Sequence, residues 1–359
     1  MTTPRRPWVH VFATFGRGGP QVRAVQLMRQ LGVGYRHVVM AMDGNTDART
    51  MLDPDLDVRF VTPPARAGFR ATRRAQMTFL QEETPELVLT YNWGAIETAA
   101  AARRLRLPLV HHEDGFGPEE TERRFVRRSL MRRWLLRRVP VVVPSRVLHQ
   151  IAMREWRLSP GDVHHLVNGV DLQRFRPPPE APAAKVLGSV GGLRPEKDHD
   201  NLLRALSLLP VDVRLCLVGS GPCGSDLRKR CRQLGLADRV EFVGHTDDTA
   251  AYYRRFSVFV LSSRTEQMPI AMLEAMASGL PVVATDVGDV KQVLPEPARK
   301  WVVPAGNTEA LAKALATVLG DEGLRRRLGG ENRVRCEERF GSGGCGQRFL
   351  DLYLTTKGN

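Results

Sequence analysis

The chain has 359 residues, room for two domains at roughly 100–200 residues each. Its apolar fraction of 42% suits two ordinary cores, and its longest apolar runs, such as GLPVVAT and RVPVVVPS, fall far short of the ~18 residues that mark a membrane-spanning helix. The net charge of +14 is nearly all arginine, because lysine supplies 7 of the 53 basic residues. It is concentrated in residues 1–168, with 26 basic against 16 acidic side chains, which points to an anionic partner: a membrane, a nucleic acid or a phosphorylated ligand.

The opening MTTPRRPWVHVFATFGRGG has a basic start and a short apolar run. The run ends in Arg and Gly with no cleavage site, so it reads as a first strand and not a signal peptide. A helix follows in PQVRAVQLMRQLG, stopped by glycine. ELVLTYN then leads into AIETAAAARRLR, LPLVHHED follows, and PVVVPS leads into RVLHQIAMREW. Strands alternating with helices in this way predict a parallel sheet covered on both faces. The proline-rich RFRPPPEAPAA, 174–184, breaks the pattern and reads as a linker. Alternation restarts with KVLGSVGGL and continues through VRLCLVGSG, VEFVGH, VFVLSS, PIAMLEAMASG and PVVAT. The expected fold class is α/β, two doubly wound Rossmann-like domains, with ligands beyond the carboxyl ends of the strands. Cys216, Cys223, Cys231, Cys336 and Cys345 form no C-x-x-C pair and join no histidine cluster, so they read as reduced structural thiols with no metal site.

Three segments carry chemistry. In SSRTEQMPIAMLEAMASGLPVVATDVGDV, 262–290, Pro269 suits a first helical position and Gly279 a helix stop. Glu266 then lies in the loop before the helix and Glu274 about a turn inside it, so they are not an acid pair on one face. Backbone N–H groups near Ile270 and Ala271, with the helix dipole, suit a phosphate. A surface helix with a chance pair of acids fits the same spacing. In GSVGGLRPEKDHDNLLRAL, Arg194 and Lys197 follow a glycine-ended strand, which suits a diphosphate or a plain solvated basic loop. In FGRGGPQVRAV, Gly16, Gly18 and Gly19 allow close backbone approach to a ligand, or make a tight turn. Gln21 breaks any G-x-G-x-x-G fingerprint there.

Together these segments, with VNGVDLQRFRP, LVGSGP and VEFVGH, resemble a retaining glycosyltransferase of the GT-B fold, family 4 (the group 1 family). The likeness covers nearly all of 165–310 in order and is looser in the N-terminal half, where it rests on the glycine turn and LVHHEDG. It implies an acceptor-binding domain, 1–168, facing a nucleotide-sugar domain, 169–335, across a cleft, with a C-terminal helix, 336–359, returning to the first domain. Glu274 would bind ribose hydroxyls and Glu266 the donor-sugar hydroxyls. Arg194 and Lys197 would hold the diphosphate, Met268, Pro269, Ile270 and Ala271 would line the donor, and Val243 and Gly244 would cradle the base. Gly18 and Gly19 would approach the distal phosphate and sugar. The implied mechanism is front-face attack with retention, the leaving diphosphate taking the acceptor proton while Arg194 and Lys197 stabilise its charge.

Two positions depart from the family pattern. Gln267 stands where the family commonly has glycine, and Asp114 in VHHED stands where a histidine is often found. A shift of one or two residues would give that catalytic-site role to Glu113 or His112 instead. The resemblance implies a UDP- or GDP-type donor, no other cofactor, no metal, and a saccharide or lipid-linked acceptor in bacterial polysaccharide or envelope-glycan synthesis. Two other readings are a GT-B-fold sugar-nucleotide epimerase or hydrolase and a catalytically silent membrane-associated subunit. The intact Glu266, Glu274, Arg194 and Lys197 count against silence.

EETERRFVRRSLMRRWLLRR, 119–138, places four arginine pairs among apolar residues. It suggests contact with an anionic membrane surface, and so a cytoplasmic protein peripheral on the inner face of the plasma membrane. On a helical wheel its arginines fall nearly all round, so a clean amphipathic helix would require a break near Ser129. An exposed helix with snorkelling arginines fits equally. Nucleic acid is disfavoured, because no binding module or aromatic platform accompanies the charge.

Overall fold

The computed structural model describes residues 6–65, 67–116, 120, 124–180 and 184–358. In chain order its elements are β1 (Trp8–Phe12), α1 (Gly19–Leu31), β2 (Arg36–Ala41), β3 (Asp57–Val61), α2 (Gly68–Glu83), β4 (Leu87–Tyr91), α3 (Ile96–Leu105), β5 (Leu109–His112), α4 (Val126–Leu135), β6 (Val141–Val143), α5 (Arg146–Arg154) and β7 (Val163–His165). There follow β8 (Val186–Val190), α6 (His199–Ser207), β9 (Arg214–Val218), α7 (Gly224–Gln233), β10 (Val240–Gly244), α8 (Thr249–Tyr253), β11 (Val258–Leu261), α9 (Ile270–Ala277), β12 (Val282–Thr285), α10 (Val290–Val293), β13 (Val302–Val303), α11 (Thr308–Gly320), α12 (Glu322–Arg339) and α13 (Ser342–Gly358). The chain divides into two compact units, Met1–Val167 with Gly343–Asn359, and Asn168–Ser342.

The first unit holds seven parallel strands in the order β3-β2-β1-β4-β5-β6-β7. Its central strands, such as WVHVF and LVLTY, are buried at every position, as strands covered on both faces must be. Alternate residues feed two cores. Val9, Val11, Val38 and Val88 join the alanines of α3 on one face. Trp8, Phe12, Val39, Leu89 and Val110 join α1 and the Phe349, Leu350 and Tyr353 side chains of α13 on the other. The C-terminal helix is therefore part of this unit's core. Tyr353 Oη lies 2.9 Å from His112 Nε2, and Lys357 pairs with Glu86 at 3.0 Å.

The second unit holds six parallel strands in the order β10-β9-β8-β11-β12-β13. This is the doubly wound order in which the direction of winding reverses between β8 and β11. The linker expected at 174–184 is corrected for its described part. Phe175 is buried, Arg333 Nη1 donates to the carbonyls of Phe175 (2.8 Å) and Ala277 (2.6 Å), and Pro177 abuts Gly279. The stretch packs on α9 and α12; residues 181–183 lie outside the described residues. All five cysteines are free and four are buried. Among the described residues no helix is long and apolar enough to cross a membrane.

The basic stretch also differs from the wheel argument. The helix α4 runs unbroken through Ser129, and its arginines divide between inside and outside. Arg132 is buried, donating to Glu113 Oε2 (2.8 Å) and Oε1 (3.3 Å), with its guanidinium over the rings of Trp93, Phe116 and Trp156. Burial works to raise the Glu113 carboxyl, but Arg132 and His111 outweigh it and hold it below its ordinary value. A carboxyl lowered in this way stabilises the fold above its ordinary pKa, and that contribution is lost as pH falls through the lowered value. Arg132→Leu leaves Glu113 buried without its main cation. Its expected cost is about 3–5 kcal/mol in urea unfolding, recovered in large part by adding Glu113→Leu. An unchanged midpoint for the single variant would show the pair to be dispensable.

Candidate functional site

In the second unit the strand order brings the two charged motifs together. The loop after β8 carries Arg194 and Lys197, and the loop after β11 carries Glu266, so both leave the sheet at the reversal point. Lys197 Nζ lies 2.5 Å from Glu266 Oε1, which also accepts from Ser263 Oγ at 2.7 Å. Glu266 Oε2 has no partner among the described residues. Further bonds hold the loops in register. Ser262 Oγ donates to the Lys197 carbonyl (2.8 Å), Arg264 N to the Glu196 carbonyl (2.8 Å), and Arg264 Nε to Asp198 Oδ2 (2.9 Å). Arg194 is exposed and its guanidinium makes no hydrogen bond or ion pair among the described residues. The site therefore has one cation already paired and one available.

Two glycines are required by close backbone approach. A Cβ on Gly219 (φ +139°) would lie 2.0 Å from the Gly191 carbonyl oxygen. That contact, with Leu193 N donating to Ser220 O (3.0 Å) and Gly219 N to Gly244 O (2.8 Å), ties the loops after β8, β9 and β10 into one row. Val243 and Gly244 end β10 at the edge of this row. A Cβ on Gly288 (φ +52°) would lie 2.3 Å from the Glu266 carbonyl, and Asp289 N donates to the Gln267 carbonyl at 3.0 Å. The Glu266 loop is fixed from behind. Gln267, where the family pattern has glycine, is not among the residues of positive φ, so this backbone does not need glycine there.

The helix α9 begins at Ile270, with Pro269 as its N-cap, one residue later than the sequence suggested. Asn168, buried, donates from Nδ2 to the Met268 carbonyl at 2.9 Å and so sets the step that precedes the helix. Ala271 and Glu274 share one partner: the Tyr253 hydroxyl lies 2.9 Å from the Ala271 carbonyl and 2.8 Å from Glu274 Oε2. Burial pushes the Glu274 carboxyl up to about 7, against the lowering pull of the Tyr253 hydroxyl and of Arg174. Because this pKa is raised, the unfolded chain ionises first as pH rises. The stabilisation from keeping Glu274 neutral is present below the ordinary carboxyl value and is lost as pH climbs toward 7. If Glu274 takes a ribose hydroxyl, as the family resemblance implies, the carboxylate holds it better than the neutral acid, and affinity for a nucleotide sugar then rises between pH 6 and 8. Glu274→Gln should flatten that rise in a binding titration; a variant that kept it would place the titrating group elsewhere.

In the first unit Asp114 follows β5. Both its oxygens are taken by Arg23 of α1, Nη1 to Oδ1 at 2.5 Å and Nη2 to Oδ2 at 2.9 Å, and its backbone N–H donates to Asn92 Oδ1 at 2.7 Å. Burial opposes the Arg23 cation, but Asp114 outweighs it and holds the guanidinium firmly charged. Asn92 sits at φ +59°, ψ −179°, a region that costs a non-glycine residue about 1–3 kcal/mol and is kept by its bonds to β5. The alternatives to Asp114 are placed in the core. Glu113 faces Arg132. His112 is fully buried between Tyr91 and Phe349, and burial with the Arg23 charge beside it pushes the ring well below its ordinary pKa, so it is neutral at pH 7. Gly18 is the extended N-cap of α1 and Gly19 its first residue, one turn before Arg23.

Sequence reading missed Arg23, Asn92, Asn168, Ser263 and Tyr253. Ser263 lies three positions from Glu266, and the others act through partners 21 to 100 positions away, where no local pattern marks the pairing.

Two doubly wound units, one carrying a cation-and-carboxylate cluster at its reversal point, define an α/β fold of the class that places ligands beyond the carboxyl ends of its strands. Two family models match adjoining segments, Glycosyltransferase Family 4 over residues 17–174 and Glycosyl transferases group 1 over 173–335, and the chain belongs to these glycosyltransferases. It is 32% identical over 228 residues to the lipopolysaccharide core biosynthesis mannosyltransferase LpcC of Rhizobium leguminosarum bv. viciae, covering 58% of this chain and 62% of that one. It is 33% identical over 224 residues to D-inositol 3-phosphate glycosyltransferase 2 of Catenulispora acidiphila, covering 56% and 52%. The matches thus span about half to three fifths of these relatives' lengths. Among solved structures, the fold resembles Anabaena HepE in complex with UDP, with a TM-score of 0.81 at 20% identity over 97% of this chain and 100% of that one. It also resembles sucrose-phosphate synthase from Thermosynechococcus elongatus, with a TM-score of 0.79 at 23% identity over 98% and 99%. The GT-B architecture follows.

Proposed function

We propose that the chain transfers a sugar, with retention, from a UDP- or GDP-type nucleotide-diphosphate sugar to a saccharide or lipid-linked saccharide acceptor in bacterial polysaccharide or envelope-glycan synthesis. The observation that carries this is the Lys197–Glu266 pair, braced by Ser263, with the unpaired cation of Arg194 on the same loop as Lys197. In this reading Arg194 and Lys197 hold the diphosphate, Glu274 takes the ribose hydroxyls, and Glu266 Oε2 accepts from a donor-sugar hydroxyl. The row of glycine-tied loops ending at Gly244 receives the base. The acceptor hydroxyl attacks the anomeric carbon from the leaving group's side and gives its proton to the departing phosphate oxygen. The two cations balance the charge that develops there, and no metal or further cofactor is invoked. Support for the donor class comes from HepE, whose solved complexes contain UDP and UDP-glucose; support for the acceptor class comes from LpcC, which is named for lipopolysaccharide core synthesis. A lipid-linked acceptor would bring the protein to the cytoplasmic face of the plasma membrane, with the basic segment 119–138 as the contacting surface.

The test is a thermal-shift screen against UDP-, GDP- and ADP-sugars, followed by proton NMR of the product formed with the stabilising donor. The expected result is stabilisation by a UDP- or GDP-sugar and a product whose anomeric configuration matches the donor's. An inverted product would overturn the mechanism, and donor hydrolysis with no transfer to any saccharide would overturn the assignment as a transferase.

A further inference from the structure

Asp114 lies at the carboxyl end of the first unit's sheet. At the opposite end, the amino-terminal ends of the central strands border a cavity of about 500 Å³, lined by Arg6, Gly34, Tyr35, Arg36, Glu86 and Lys357. The strand register explains the gathering. His37 of β2, Trp8 of β1 and Leu87 of β4 lie side by side, so Arg36 and Glu86 flank the entry to β1, with Arg6 two residues before Trp8. Lys357 comes from the last turn of α13. Three cations thus line one cavity against a single carboxylate, and that carboxylate is already engaged. Glu86 Oε1 accepts from Lys357 Nζ at 3.0 Å and Oε2 from the Trp8 indole at 2.9 Å. Burial works to raise the Glu86 carboxyl, but the Trp8 indole, Lys357 and Arg6 outweigh it and hold it below its ordinary value, so it stays ionised. Arg6 and Arg36 supply the surplus. Arg6 donates from Nε (2.7 Å) and Nη2 (3.0 Å) to the carbonyls of Thr84 and Pro85, which fixes the guanidinium without neutralising it. Arg36 meets Asp57 only at 4.0 Å, with side chains 42% and 63% exposed, and such a pair holds little. Tyr35 adds an aromatic wall, packed edge-on against Trp8 with centroids 4.9 Å apart, and the Lys357 ammonium lies 5.8 Å from each ring.

We infer that this cavity is a binding site for a small phosphate ester, its phosphate taken by Arg6 and Arg36 and its organic part lying against Tyr35. Guanidinium forks match the geometry of a phosphate and keep their charge at any working pH. A cationic ligand would meet three like charges. A bare phosphate would leave most of the space unfilled, since cavities of roughly 300–1,000 Å³ hold small organic molecules. The bound ester would join the start of β2, the segment before β1 and the end of α13, and so would stabilise the first unit by mass action. The inference goes beyond the proposed transfer reaction and does not rest on it, because the cavity lies wholly in the first unit.

The full chain is titrated with glucose 6-phosphate, with inorganic phosphate and with glucose, at an ionic strength held constant with sodium chloride. Binding is read by calorimetry and by melting temperature. The expected result is saturable binding of the ester with a raised melting temperature, weaker binding of inorganic phosphate, and none of glucose. Arg36→Gln should weaken ester binding roughly tenfold or more, the range for losing one charge-assisted hydrogen bond. Without ligand this variant should melt like the parent, since the partner it leaves, Asp57, is well exposed. Arg194→Ala, in the second unit, should bind the ester as the parent does, which separates the cavity from the candidate donor site. Failure of both phosphate probes to bind saturably would overturn the inference. So would parent-like binding by a folded Arg36→Gln variant, or binding that Arg194→Ala abolishes. The donor-sugar thermal shift reads the transferase assignment separately: if it persists while ester binding fails, only the cavity's role is lost.

Discussion

Lys197→Ala is expected to lower kcat/KM on the order of 10²–10³-fold, the usual range for removing one preorganised charge from a developing anion. The structure adds a second cause. Lys197 is the cation that balances Glu266, whose side chain is only 11% exposed. Without it, in the proposed donor site, a desolvated carboxylate would face an incoming diphosphate and repel it. The loss should therefore appear in donor affinity as well as in turnover. Adding Glu266→Gln to Lys197→Ala should recover part of the affinity but not the turnover, because the charge that stabilises the leaving group is still missing. Arg194→Ala is a cleaner removal. Arg194 has no partner to orphan among the described residues, so its loss in kcat/KM should come with an unchanged melting temperature. Steady-state kinetics with the donor found by thermal shift would check all three. Parent-like turnover in both single variants would move the diphosphate site elsewhere.

What the sequence revealed and what it hid follow from separation along the chain. WVHVF, LVLTY and VFVL were legible as strands because a strand covered on both faces reads as a short, largely apolar run, and that is a local property. The α9 helix was legible within one residue because its stop glycine and leading proline are local too. The pairing of Lys197 with Glu266 was not, since they are 69 positions apart and meet only because strand order places β8 beside β11. The proline-rich run misled because prolines mark linkers and packed irregular chain alike; its packing rests on distant partners, Arg333 on the Phe175 carbonyl and Gly279, without a Cβ to clash, against Pro177. The arginines of α4 misled for a related reason. A wheel counts every arginine as polar, yet Arg132 is buried by Glu113, which no spacing rule connects to it.

Asp114→Asn is the second change with a large expected effect, and the geometry alters its meaning. As a free carboxylate at a strand end, Asp114 would act on the substrate, and its neutral isostere would lower kcat alone. Here both oxygens are engaged by Arg23, and the two side chains are only 9% and 4% exposed. Removing the carboxylate charge leaves a buried guanidinium facing an amide. Breaking a buried pair on one side costs about 3–5 kcal/mol, so the first unit should melt about 10 °C lower. Arg23→Met should destabilise to a similar degree, by orphaning Asp114. The double variant Arg23→Met/Asp114→Asn should regain most of the lost melting temperature, because neither partner is then a buried charge. Turnover separates the two roles. If Asp114 only holds Arg23 and Asn92 in place after β5, the double variant recovers activity along with stability. If the carboxylate also accepts a hydrogen bond from substrate, stability returns and kcat does not. The expected result is the second, since Asp114 is held at the carboxyl end of a parallel strand by the strained Asn92 as well as by Arg23. His112→Ala is the control for register. His112 packs against Tyr91, Phe349 and Tyr353, so its loss should lower the melting temperature, while donor-saturated turnover measured well below that temperature stays near the parent's. A folded His112→Ala protein with no turnover would transfer the catalytic-site role from Asp114 to the histidine.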